Sequence, residues 1–541
     1  MAEWEDNFSS SKPTVTLVSP TPTTDFNYQV SVAAARSCYA PRIITPEECV
    51  KDEAARALSQ SIADSTYKAG HHTTIQHSNF TFQISGVSRH ALWSFFHRHQ
   101  FYNSEQVSQR YRKVDAQNTL IPNLTPEATS IYSQAMEQSF NLYEQLRNNL
   151  LLPATREAYS KIFPNRAKVM ETETGKKYRL DLLKKTQEVA RYVIPIGAHA
   201  HLYHSISALT LARYQRMALH CDVPTEVSWI VNEMVNQVRH QDPSLAKHFE
   251  PSIPQHDTLA LKIDSSAYNP QRIKQWKEQF DVQLGPRAAK LVDYKPKAII
   301  QMKEALCDVL GIPAHEMEVP EALNYLLNPK VNTLRGDTLY LAQLDDLMRV
   351  LALPDFTFLS KLSHTADSQE QRQRMSPGTR PLLQRVVGEE PDYITPALIS
   401  ASSAEVQQRY EEGIRSIWTA RNQLINLGVP LEFANYLLPN AVSVRFQEKS
   451  DLLNFIPKDE KRECLNAQEE IGRYTLEQRL DIERVHPELQ GFFGPPCYAR
   501  SRANVKPACP EGSRFCGIPV WKALDNPRLI GIEEQIKKRV I

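Results

Sequence analysis

The sequence predicts an α+β protein made of two homologous halves, and three observations predict it. Long segments carry apolar residues at helical spacing. Shorter ones alternate or are β-branched, as strands are. Three short segments of the first half return, in the same order, in the second.

Each element follows from its residues. In SIYSQAMEQSFNLYEQLRNNLLL (129–151), Ile131, Met136, Phe140, Tyr143 and Leu150 stand at near-helical spacing. AEVQQRYEEGIRSIWTARNQLINLG (404–428) reads alike and stops at Gly428, a C-terminal cap. TVTLVSP (14–20) and NFTFQIS (79–85) read as strands, and RHALWSFFHRHQ (89–100) as helical.

The repeats place the copies. EVARYVIP (188–195) returns as EFANYLLP (432–439), and TLVSP (16–20) resembles KLVDY (290–294). NSEQVSQRY (103–111) returns as DSQEQRQRM (367–375), pairing Ser104 with Ser368, Gln109 with Gln373 and Arg110 with Arg374. The expected division is 1–255, a linker over 256–288, and 289–541; helical periodicity is lost through EPSIPQHDTLALKIDSSAYNP (250–270).

Composition narrows the function. With 63 basic and 62 acidic residues in 541, bulk attraction to nucleic acid or to a membrane surface is not expected. An anion must be held by a local cluster. No run of about 18 apolar residues suggests a membrane span. The acidic, polar MAEWEDNFSSSKPT is no secretory signal. Eight sparse cysteines fit a reducing cytoplasm. Neither GxGxxG nor GxxxxGK[ST] occurs, so if a nucleotide binds, side chains must do more of the work.

One region gathers such side chains. GHHTTIQH supplies His71, His72, Thr73 and His77 without a carboxylate among them and without the HExxH spacing, so zinc is not expected there. RHQFYNSEQVSQRY (98–111) follows. Arginine forks suit phosphate oxygens, and histidine edges suit a flavin or adenine ring. The alternatives are a solvated helix face, and for Ser108 a capping hydroxyl.

RHQFYNSEQVSQRY resembles the RHRxxSxNxxSxRY signature of the flavin-dependent thymidylate synthases, the ThyX family. Arg98, His99, Ser108, Arg110 and Tyr111 match; Gln100, Asn103 and Glu105 depart from it. Gly70, His71, Thr73 and His77 match the family's GHxTxxxH, and SVAAARSCY (31–39) is similar to its early segment. In the second half, EFANYLLPNAVSVRF keeps Arg445, DLLNF (451–455) resembles SLxNF, and AQEEIGRY (467–474) resembles AQxEIRxY with Gly472 in the arginine's place.

The resemblance implies, for each half, a small mixed sheet with a helical bundle. It implies reductive methylation of dUMP to dTMP, with methylenetetrahydrofolate as carbon donor and FAD reduced by NADPH. His71, Thr73, Arg98, His99, Gln100, Gln106 and Asn454 would hold FAD. Gln106, Ser108, Arg110 and Arg445 would hold dUMP, with no nucleophile and no metal. The first half keeps the front motif and the second more of the back motif, so one pocket is expected across the halves, with Arg445 within ~15 Å of Arg98 and a decayed mirror site. A homodimer would reproduce a tetramer of single domains. The alternatives are a non-catalytic nucleotide-binding or scaffold protein, or another flavin-dependent pyrimidine-modifying enzyme.

Cys497, Cys509 and Cys516 lie in a Pro/Gly-rich stretch. An ordered loop with buried thiols is the favoured reading; a metal site would need His486 or Cys464 as fourth ligand.

Overall fold

The computed structural model describes residues 3–18, 21, 23–219, 222–249, 259–263, 268–523 and 531–541. Two small sheets organise it. The first runs β1 (Thr14–Leu17), β2 (Asn79–Ser88), β4 (His199–Ser207), β3 (Asn103–Gln106) across its width. The second runs β5 (Ala289–Tyr294), β6 (Asp355–Ser363), β7 (Ser443–Asp451). Every strand pair is antiparallel, so the sheets are antiparallel rather than mixed. Period-two patterning builds the core face: Phe80, Phe82 and Ile84 of β2 are buried, as are Ala200, Leu202 and Ile206 of β4.

Helices cover the sheets: α1 (Pro126–Gln145), α2 (Lys176–Ala190), α3 (Ala208–Met217), α4 (Thr225–Gln241), α5 (Pro270–Leu284), α6 (His364–Glu370), α7 (Ala404–Asn426), α8 (Leu452–Arg462) and α9 (Glu469–Val485). Thr125 caps α1 through its hydroxyl, and Gly428 has φ +83° just past α7, as the cap reading requires. α1 packs on α7 at close range. A Cβ on Gly413 would meet Leu142 Cδ2 at 2.1 Å, so a larger residue there would have to push the end of that leucine side chain aside. One hydrophobic cluster takes in Trp93, Tyr143 and Tyr192 of the first half and Ile414, Trp418 and Leu438 of the second. Inside the expected linker, α5 docks on the second sheet, where Asp281 meets Arg445 and Lys361.

An internal two-fold relates the halves. The repeated segments bond to each other: Ile196 N–H donates to Leu438 O (2.8 Å) and Asn440 N–H to Ile194 O (2.8 Å). Gly197 N–H donates to Tyr436 O (3.0 Å) and Ala441 N–H to Tyr192 O (2.9 Å). Each partner stands 244 residues from its counterpart, so the contact is self-complementary, as a two-fold interface demands. The helix starts repeat as well. Ser88 donates its N–H and hydroxyl to Glu226, Ser363 does the same to Glu470, and each carboxyl takes a tyrosine from the opposite half, Tyr436 or Tyr192.

This geometry corrects one repeat. Ser88 and Ser363 differ by 275, as do Thr14 and Ala289, which pair with Ser85 and Ser360. DSQEQRQRM therefore occupies the place of 92–100. The counterpart of β3 is the bridge of Gly378 to Glu448, which matches Ser104 opposite His204. A shared polar trio is a weaker guide than strand register, because register is fixed by backbone bonds and by which face is buried.

Candidate functional site

β3 and the turn after it wall a cavity of about 600 Å³ between the halves. The turn is set by Ser108, whose carbonyl accepts from Tyr111 N–H (3.1 Å) and Arg112 N–H (3.0 Å) and whose Oγ accepts from Arg110 N–H (3.2 Å). The first half contributes Arg89, Gln106, Ser108, Arg110 and Arg191; the second contributes Thr365, Ser368, Arg372, Lys461 and Arg462. Six cations thus face the cavity against one carboxylate, Glu105, which Arg372 already engages at 3.2 Å.

The surroundings hold these cations and do not neutralise them all. Arg89 donates to Gln106 Oε1 (3.0 Å) and Val107 O (2.6 Å), and burial together with the charge of Arg191 pulls its pKa down to about 9. Burial lowers Arg191, Lys461 and Arg462 as well. Arg110 pairs with Glu188 and donates to Asn466 O (2.8 Å). Burial alone would raise the Glu188 carboxyl, yet Arg110, Lys185 and Arg191 bring it to about 2. Three side chains that line the cavity carry a buried donor with no hydrogen-bond partner among the described residues: Arg89 Nε, Gln109 Nε2 and Arg462 Nε. Buried polar groups are normally satisfied, so unpaired donors beside crowded cations suit an anionic, oxygen-rich ligand.

The sequence-selected residues fall in several places. Gln106, Ser108 and Arg110 share this cavity. Arg98 and His99 line another, of about 370 Å³, where Arg98 donates to Arg380 O (2.5 Å) and His99 Nε2 meets Tyr214 OH at 2.7 Å. Gln100 is exposed, as are Thr73 on the turn His72–His77 and His71 just before it. Asn454 Nδ2 donates to Asp451, and its Oδ1 accepts from Gln343 (2.9 Å). Arg445 does not line the cavity; Asp281 (2.6 Å) and Asp392 (2.7 Å) hold its guanidinium. The first-half front motif does meet the second half, through Lys461 and Arg462.

Motif reading missed Arg89, Arg191, Arg372, Lys461 and Arg462. One signal was available: Arg191 sits inside the repeated segment, where its copy has Asn435.

The two cavities are mates about the two-fold. Val107, Ser108, Gln109 and Arg110 correspond to Pro381, Leu382, Leu383 and Gln384, which line the second cavity. Thr365, Ser368, Gln369 and Lys461 correspond to His90, Trp93, Ser94 and Met217, which line it too.

At the C-terminal end, Cys497 and Cys516 are buried, and burial, with Glu511 and the neighbouring thiols adding to it, raises Cys464 to about 11. Among the described residues no group of three or more His, Cys, Asp or Glu side chains is arranged to hold a metal. No helix among them is long and apolar enough to cross a membrane.

A family model described as thymidylate synthase complementing protein matches residues 17–244 and 337–488, one stretch in each half. A flavin-dependent thymidylate synthase of Clostridium tetani is 30% identical over 227 residues, covering 41% of this chain and 82% of the relative. One from Geobacter sulfurreducens is 28% identical over 183 residues, covering 33% and 74%. Among solved structures, the UMP/dUMP methylase PolB of Streptomyces cacaoi aligns at a TM-score of 0.30 and 17% identity, over 44% of this chain and 95% of that one.

Proposed function

The chain belongs to the thymidylate synthase complementing protein family, and from that premise we propose that it is a flavin-dependent thymidylate synthase. It converts dUMP to dTMP, taking the carbon from methylenetetrahydrofolate and reducing equivalents from NADPH through FAD. The observation that carries this reading is the cavity with six cations on the Ser108–Arg110 turn. Its donors suit a nucleotide phosphate, and its position between two copies of one fold matches a site shared by subunits. The division into copies at 1–255 and 289–541, and a homodimer carrying four of them, belong to the same proposal.

FAD, when bound, supplies the hydride for reduction of the transferred carbon. The chain's residues supply position and charge. Arg110 and Lys461 neutralise the phosphate. Ser108 orients the turn that presents Arg110, and with no base at hand it is assigned no nucleophilic role. Gln106, fixed by Arg89, offers its amide to the pyrimidine edge. Arg89 Nε and Gln109 Nε2 remain free for ligand oxygens, so the donor set fits a nucleotide and the anionic part of a flavin dinucleotide.

The test is direct. The purified chain is expected to be yellow, to retain FAD, and to release tritium from C5-labelled dUMP when folate and NADPH are supplied. A colourless chain that FAD does not reconstitute, or no tritium release from a flavin-loaded chain, overturns the reading.

A further inference from the structure

Beyond Arg110 and Tyr111 lies a second polar cavity, of about 250 Å³, which shares those two side chains with the nucleotide cavity as a common wall. α2 and the loop 511–514 enclose it. The half-exposed ring of Tyr111 has three cations around it: Arg110 at 5.5 Å, Lys184 at 5.6 Å and Arg514 at 5.3 Å from its centroid. Lys177 stands 4.7 Å over Tyr178 on the same wall.

The charges there do not balance. Glu188 is taken by Arg110 and Lys185, and Asp181 by Arg166 at 2.8 Å. Lys177, Lys184 and Arg514 have no carboxylate within ion-pair distance among the described residues, and Glu511 is the one lining acid outside those pairs. Ring faces hold such cations in place yet leave their N–H groups free to donate. Clustered cations that only aromatic faces restrain form a ready site for a chain of anionic oxygens.

We propose that this cavity binds the oligo-anionic end of a co-substrate whose reacting ring lies in the nucleotide cavity. The proposal rests on the reading given above. Two sources share the chemistry: the glutamyl chain of the folate and the pyrophosphate of the reduced dinucleotide.

The probe is tripolyphosphate, titrated calorimetrically into the full chain with and without saturating dUMP. In the double variant Lys184→Ala, Arg514→Ala its affinity is expected to fall about tenfold, and in the conservative pair Lys184→Arg, Arg514→Lys to stay within about twofold. Dissociation of dUMP should not change in either. In turnover, kcat should hold while one KM rises about tenfold: that for polyglutamylated methylenetetrahydrofolate, if the glutamyl chain is the occupant, or that for NADPH, if the pyrophosphate is. Tripolyphosphate binding that the alanine pair leaves unchanged overturns the proposal, as does a turnover assay in which neither KM moves. A chain that binds tripolyphosphate at these residues but not dUMP would instead overturn the thymidylate synthase reading.

Discussion

The cation-lined cavity and its mate stand at equivalent places about one internal two-fold, yet their linings differ in kind. Where the first has Ser108 and Arg110, the second has Leu382 and Gln384. Where the first has Lys461 and Ser368, the second has Met217 and Trp93. The scaffold around both is preserved to the hydrogen bond, with Ser88 on Glu226 and Ser363 on Glu470. Fused copies need only one working pocket. Backbone bonds and buried carboxyls hold both halves together and cannot drift, whereas cavity linings can. Six cations remain on one side; Arg98 and Arg213 are the two on the other.

The largest expected effects test the conserved side of this comparison. Burial raises Glu226 and Glu470 each from the ordinary 4.5 to about 7. A carboxyl raised in the folded state keeps a proton that the unfolded chain releases. Its contribution is therefore full below about pH 4.5 and is lost as pH rises through about 7, a swing of roughly 3 kcal/mol per group. The thermal midpoint should drop across that window, and Glu226→Gln and Glu470→Gln should each flatten the drop by a similar amount. A slope that only one of the two variants alters would break the symmetry argument.

Next comes the diverged side. Arg110→Ala removes a charge-assisted donor and leaves Glu188 to Lys185 alone as ion-pair partner, so dUMP affinity should fall about a hundredfold, roughly 3 kcal/mol. Gln384→Ala at the mirror position should change it by less than about twofold, and calorimetry should count one nucleotide per chain. Two nucleotides per chain, or equal losses from the two variants, would show that both cavities work.

The sequence carried the fold further than it carried the site. β1, β2, α1 and α7 were legible because burial writes a period of 2 or 3.6 into the chain, and EVARYVIP with EFANYLLP announced the duplication. Their role as the two-fold contact was not legible, since a repeat does not say that its copies touch. Gln106, Ser108 and Arg110 stand at the end of β3 and in the turn after it, so motif spacing was enough to group them. Arg191, Lys461 and Arg462 reach the cavity from segments far apart in sequence, and no local pattern joins them. Arg445 shows the converse. Its motif was recognisable, but Asp281 on α5, which neutralises it, lay in a stretch read as linker.

The smaller effects sharpen how the divergence works. Lys461→Met copies its counterpart Met217 and leaves the turn untouched, so it should weaken dUMP about tenfold and reduce the loss of affinity with added salt, since one screened charge is gone. Ser108→Ala should cost less, about threefold, because the hydroxyl only accepts from Arg110 N–H while the carbonyl still closes the turn onto Tyr111 and Arg112. The mirror change, Leu382→Ser, restores a hydroxyl beside Gln384 and so should yield no second nucleotide; only when Gln384→Arg is added should a second, weak site be titratable. If Leu382→Ser alone created one, the hydroxyl and not the guanidinium would be the group that separates the two cavities, and the order of these effects would have to be reversed.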